Sequence, residues 1–90
     1  MYPITINLDN GCAHEGRNPI YTLKGKVVSA TADSIKRILE KNRKDVNKWL
    51  LFGRANMVAT FDGTGEVIAT GWWDYNAFSG HGEYQFKMER

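Results

Sequence analysis

Hydrophobic and polar positions change their period along the chain, and each change marks an element. Ile4, Ile6 and Leu8 alternate with Thr5 and Asn7, a period of two that fits a strand with one buried face. Asp9-Asn10-Gly11 ends it, and the stretch on to Pro19 is too rich in Gly, Asn and charge to pack as a core element. From about Ile20 to Ala30 a second run sets Tyr21, Leu23, Gly25 and Val27 on one face and Thr22, Lys24, Lys26 and Val28 on the other. Gly25 in mid-strand points to a bulge or a close approach by a neighbour. The two runs read as a wide hairpin.

The period then lengthens. Ile35, Ile38, Leu39, Val46, Trp49 and Leu50 recur at helical spacing and, at about 100° per residue, fill one arc. Thr31 or Asp33 can cap the start by accepting a bond from a backbone N–H that has no partner within the helix. Asn42 interrupts the arc and Asp45 could open a second short helix, but the phase runs through both, which predicts one helix ending near Gly53 and Arg54. Ile35, Ile38, Leu39, Val46 and Leu50 are expected to bury against the sheet. Three more alternating segments follow, Met57 to Phe61, Val67 to Trp73 and Tyr84 to Met88. Asp62-Gly63-Thr64-Gly65 is a hairpin loop whose glycines permit positive φ, and Tyr75 to Gly82 reads as a second loop. The order ββαβββ predicts an α+β fold, an antiparallel four- to five-stranded sheet with one amphipathic helix on one face. A chain of 90 residues predicts a single domain over 1–90.

Composition narrows the classes. At 42% hydrophobic and 24% charged, the chain has the make-up of a folded domain rather than a disordered one. A net charge of +2 argues against an acidic nucleic-acid mimic and adds only faint support for nucleic-acid binding. No run approaches the roughly 18 apolar residues of a membrane span, and the first residues carry no secretory pattern. With the lone Cys12 excluding an internal disulfide, the expected location is the cytoplasm.

Two features carry chemistry that a core does not require. Lys36, Arg37, Lys41, Lys44 and Lys48 lie opposite the apolar arc of the helix, where they form either a phosphate-binding ridge or the solvated face every one-sided helix needs. Glu40 and Asp45 dilute that field, and the helix-turn-helix or zinc-finger setting of most recognition helices is missing. The segment Trp72-Trp73-Asp74-Tyr75-Asn76-Ala77-Phe78 holds four aromatics. In a strand Trp72 and Trp73 point to opposite faces, so a single helix can shelter only one of them. Trp72, Trp73, Asp74, Tyr75 and Phe78 are therefore the candidate partner-binding residues, with a fully structural role as the competing reading.

The remaining motifs are weaker. Cys12, His14 and Glu15 with His81 fall short of the ligand set of a structural zinc site, so no metal and no cofactor is expected. Asp74, Ser79 and His81 have the residue types of a triad but no nucleophile elbow or oxyanion hole, and Ser79 to Gly82 is better explained as a turn. The two Gly-x-Gly pairs lack the following helix that phosphate cradling needs. No enzymatic activity is expected.

In size, aromatic surface and lack of catalytic motifs, the chain resembles the small inhibitor proteins encoded by phages and mobile elements, anti-CRISPR proteins among them. The resemblance is one of overall style and carries no residue across. It implies a non-enzymatic protein that binds and obstructs a host nucleic-acid-processing complex in the host cytoplasm. The alternative is a small nucleic-acid-binding domain using the basic helix face, and self-association through the aromatic segment is a further expectation.

Overall fold

The computed structural model describes residues 1–9, 21–50 and 52–89, with the backbone alone at 52 and 53. Its elements are β1 (Tyr2–Asp9), β2 (Tyr21–Val27), α1 (Ala32–Leu50), β3 (Phe52–Phe61), β4 (Val67–Asn76) and β5 (His81–Met88). The strands form one five-stranded sheet in the order β2-β1-β3-β4-β5, every pair antiparallel. This is the α+β fold the pattern predicts. The loop between β1 and β2, with Cys12, His14 and Glu15, lies outside the described residues.

The helix forms as one unbroken element. Thr31 caps it: its Oγ1 accepts the Ser34 N–H at 3.2 Å while Ser34 Oγ accepts the Thr31 N–H at 2.9 Å. This reciprocal pair satisfies two backbone donors at once, as a capping box does. No break occurs at Asn42, whose side-chain amide donates back to the Ile38 carbonyl at 2.8 Å. Ile35, Leu39 and Val46 are buried, and Ile38 and Leu50 pack partly buried against the core. Trp49 stays 48% exposed beside Tyr21, at the margin of the arc.

The helix approaches both edge strands as well as central β3. Edges of a flat five-stranded sheet lie about 19 Å apart, twice the width of a helix, so the sheet coils around it. The inner face carries Ile4, Ile6 and Leu8, then Leu23 and Val27, then Ala55, Met57 and Ala59, and finally Ala69 and Trp73, all buried. Small residues on β3 and β4 leave room for the helix. A register shift at Ala59/Thr60 brings Ile68 into the same core cluster. Between the helix and β5, Glu40 accepts a bidentate pair of bonds from Arg43 and one from the Tyr84 hydroxyl, while Arg43 Nη1 donates to the Gly82 carbonyl at 3.0 Å.

Beyond small differences at the ends of β1 and the helix, boundaries differ from the sequence reading in three regions. β2 ends at Val27, because the chain bends out of the sheet at Val28 and Ser29 to reach the helix cap. β3 begins at Phe52 rather than at Met57. Its inward positions there, Gly53 and Ala55, are too small to register as an apolar alternation. Only the middle of the stretch from Tyr75 to Gly82 is a turn, since β4 runs to Asn76 and β5 starts at His81. Asn76 makes the tight turn by accepting the Phe78 N–H on its side chain, and Gly80 closes it at φ 71°.

Candidate functional site

Antiparallel register sorts the aromatic segment residue by residue. Trp73, opposite Ala55 and Tyr84, points under the helix and is fully buried. Its indole Nε1 donates to Asn47 Oδ1 at 2.7 Å. Tyr75, opposite Gly53 and Gly82, shares that inner face. Trp72 and Asp74 point the other way, onto the outer face of the sheet, over which no described element lies. Phe78 sits at the tip of the β4–β5 turn, 90% exposed. The five residues therefore do not form one surface. Trp73 belongs to the core and Tyr75 to the helix side, so Trp72, Asp74 and Phe78 are what the surface retains.

Trp72 gains neighbours that the sequence reading did not include. The Arg54 guanidinium lies 4.3 Å from the centre of its ring, and Arg54 Nε is 3.9 Å from Asp74 Oδ2, the residue opposite it in the register. A cation over the indole face adds electrostatic attraction and holds a flat, amphipathic plate on the sheet. The indole N–H of Trp72 has no hydrogen-bond partner among the described residues. Two shallow hollows flank this plate. One, of about 400 Å³, is bordered by Thr70, Gln85 and Lys87. The other, of about 510 Å³, is bordered by Asp74, Asn76, Ser79, His81 and Glu83. An apolar centre thus stands between a cationic and an anionic margin. Arg54 escaped the sequence reading because it preceded the expected start of β3; its pairing with Asp74 follows once β3 begins at Phe52.

The polar residues of the second hollow are engaged in turn geometry. Ser79 Oγ lies 3.3 Å from the Asn76 carbonyl and accepts the His81 N–H at 3.2 Å, while the His81 ring lies 3.8 Å from Glu83. The Ser79 hydroxyl and the His81 imidazole are not paired in the arrangement that nucleophilic catalysis uses. No group of three or more potential metal ligands occurs among the described residues.

Lys36, Arg37, Lys41, Lys44 and Lys48 on the helix are all exposed, and Arg43 is half-buried. Arg37, Lys41, Lys44 and Lys48 fall at i, i+4, i+7 and i+11, one line opposite the buried arc, and none is paired with another described residue. Lys36 lies about a quarter-turn away, on the flank that borders a cleft with Tyr84, Gln85 and Phe86. No helix is long and apolar enough to cross a membrane among the described residues. Comparison of the chain with protein-family models, with curated proteins and with solved structures finds no match.

Proposed function

We propose that this chain is a non-enzymatic protein-binding module, an inhibitor that occupies a surface of a larger nucleic-acid-processing complex. The observation that carries the binding surface is Trp72, held half-buried under Arg54 on an outer sheet face with no described cover. Interface anchors are enriched in Trp and Arg because both combine broad contact area with directed polar groups. The flanking margins of opposite charge supply the polar rim that fixes orientation. The kind of complex rests on the resemblance in size and surface style to anti-CRISPR inhibitors. Recovering the partner from a host lysate on immobilised protein tests the reading, with Trp72→Ala and Arg54→Ala beside the parent. Loss of the partner from folded variants supports it; retention by both removes this face as the site.

A second reading is favoured by one observation, the unpaired line of Arg37, Lys41, Lys44 and Lys48. Such a ridge spans about 16 Å and can follow a phosphate backbone. Binding to generic DNA or RNA that weakens steeply with added salt and is lost in Lys41→Glu/Lys44→Glu would make nucleic acid the partner.

A further inference from the structure

The outer edge of β5 has a self-complementary pattern, and we infer from it that two copies of this chain join β5 to β5 across a two-fold axis at Gln85. β5 is an edge strand of eight residues, His81–Met88. The Glu89 N–H donates to the Ile68 carbonyl on β4, at 2.7 Å, which fixes the direction of every bond along the strand. Backbone bonding alternates along an antiparallel strand, so odd-numbered residues face β4, while Gly82, Tyr84, Phe86 and Met88 point their N–H and C=O groups outward. Arg43 takes the outward Gly82 carbonyl, as that alternation requires. Beyond it the edge borders an open cleft of about 340 Å³ between Ala32, Asp33 and Lys36 on the helix and Tyr84, Gln85 and Phe86 on the strand.

An antiparallel pairing centred on Gln85 sets Glu83 opposite the partner's Lys87 and His81 opposite the partner's Glu89, each twice by symmetry. On the inner face it sets Tyr84 opposite the partner's Phe86, and these residues exchange backbone bonds. Cross-strand pairs of opposite charge and of aromatics are the stabilising kinds. Neighbouring registers lack this match. Centring on Phe86 sets Glu83 against the partner's Glu89, and centring on Tyr84 sets His81 against the partner's Lys87. The other edge, β2, carries Lys24 and Lys26 on its outer face, and centring on Lys24 or Gly25 sets lysine against lysine. Charge of one sign keeps that edge apart. The two-fold at Gln85 also brings the first turns of the two helices together, where Asp33 and Lys36 have opposite sign. This dimer draws on Gln85, Lys87, His81 and Glu83 at the margins of the Trp72 surface, and it presents that surface in two copies on one continuous outer face.

Sedimentation of the full chain over a range of concentrations tests it. The parent is expected to associate to a dimer and no further. Glu83→Lys sets lysine against the partner's Lys87 at both symmetric positions and weakens association at least about tenfold. Lys87→Glu does the same from the other side. The double exchange Glu83→Lys/Lys87→Glu restores opposite charges and returns association towards that of the parent. Amide exchange supplies a readout of register: the Tyr84 and Phe86 N–H groups become protected as the dimer forms. A monomeric parent at high concentration, assemblies that grow past the dimer, or a double exchange that stays as weak as the single variants would each overturn the inference.

Discussion

Trp73 Nε1 donates to Asn47 Oδ1 at 2.7 Å, tying the largest buried side chain of the sheet to the last turns of the helix. An indole donor taken from water needs such a partner, because an unmade bond in a dry setting keeps the full cost of desolvation. Asn47→Leu fills similar space and removes the acceptor. It is expected to lower the free energy of unfolding by about 1–3 kcal/mol in urea titrations. A variant as stable as the parent would mean that this bond contributes nothing to docking the helix.

Gly71 is required for a different reason, the close approach of β5. A Cβ built there would stand 2.0 Å from the Gln85 carbonyl oxygen and 2.6 Å from the Phe86 Cα. Both are backbone atoms, so no side chain can swing aside. Gly71→Ala is expected to destabilise by more than about 2 kcal/mol and to loosen the β4–β5 pairing, read as lost amide protection along β5. Gly25→Ala meets the Ile38 side chain, nearest at its terminal Cδ1, and no backbone atom, and should cost less.

The outline of the fold was legible because two periods carry it. Alternation at Ile4, Ile6 and Leu8 and the helical spacing of Ile35, Leu39 and Val46 require one buried face each, and the structure buries them together. What escaped were positions where packing is done by small residues or by the turn. Gly53 and Ala55 gave β3 no apolar signal, and Asn76 with Gly80 shortened what read as a long loop. The division of Trp72 from Trp73 follows from strand geometry alone, but which one enters the core depends on register. Tyr75 separates from Trp72 only because β4 continues past Trp73 to Asn76, which turns its ring to the inner face. The Arg54–Trp72 contact lies between strands whose pairing no local pattern encodes.

The Glu40, Arg43 and Tyr84 group gives stability a pH dependence. Bonds from Arg43 first, and from the Tyr84 hydroxyl second, lower the Glu40 carboxyl from 4.5 to about 2. Burial first, and the bond to Glu40 second, raise the Tyr84 phenol from 10.0 to about 12. A lowered carboxyl stabilises the fold above 4.5 and loses that contribution as the pH falls to about 2. A raised phenol contributes fully below 10 and loses its contribution as the pH rises through about 12. Glu40→Gln is therefore expected to melt below the parent at neutral pH, the gap closing between pH 4.5 and 2. In an absorbance titration, the parent should show a phenolate phase near 12 that Tyr84→Phe lacks.

The basic line on the helix separates the two functional readings. If the partner is a protein held at the Trp72 face, Lys41→Glu/Lys44→Glu leaves partner affinity within about twofold, and added salt has little effect on binding. Exposed substitutions away from packed features usually change stability by about 0.5 kcal/mol or less, so melting curves should overlay. Filter binding and calorimetry at two salt concentrations provide the check.

The most direct measurement compares two neighbouring residues, Trp72→Ala and Trp73→Ala, for unfolding free energy and for affinity to the partner recovered from the host lysate. Trp73→Ala is expected to cost about 3–5 kcal/mol of folding, the usual loss for a large buried aromatic. Trp72→Ala should cost about 1 kcal/mol of folding or less, since it gives up a surface contact with Arg54. Its affinity should fall about thirtyfold or more, the loss that accompanies removal of an interface anchor. A stable Trp72→Ala protein that binds the partner as tightly as the parent would contradict the account.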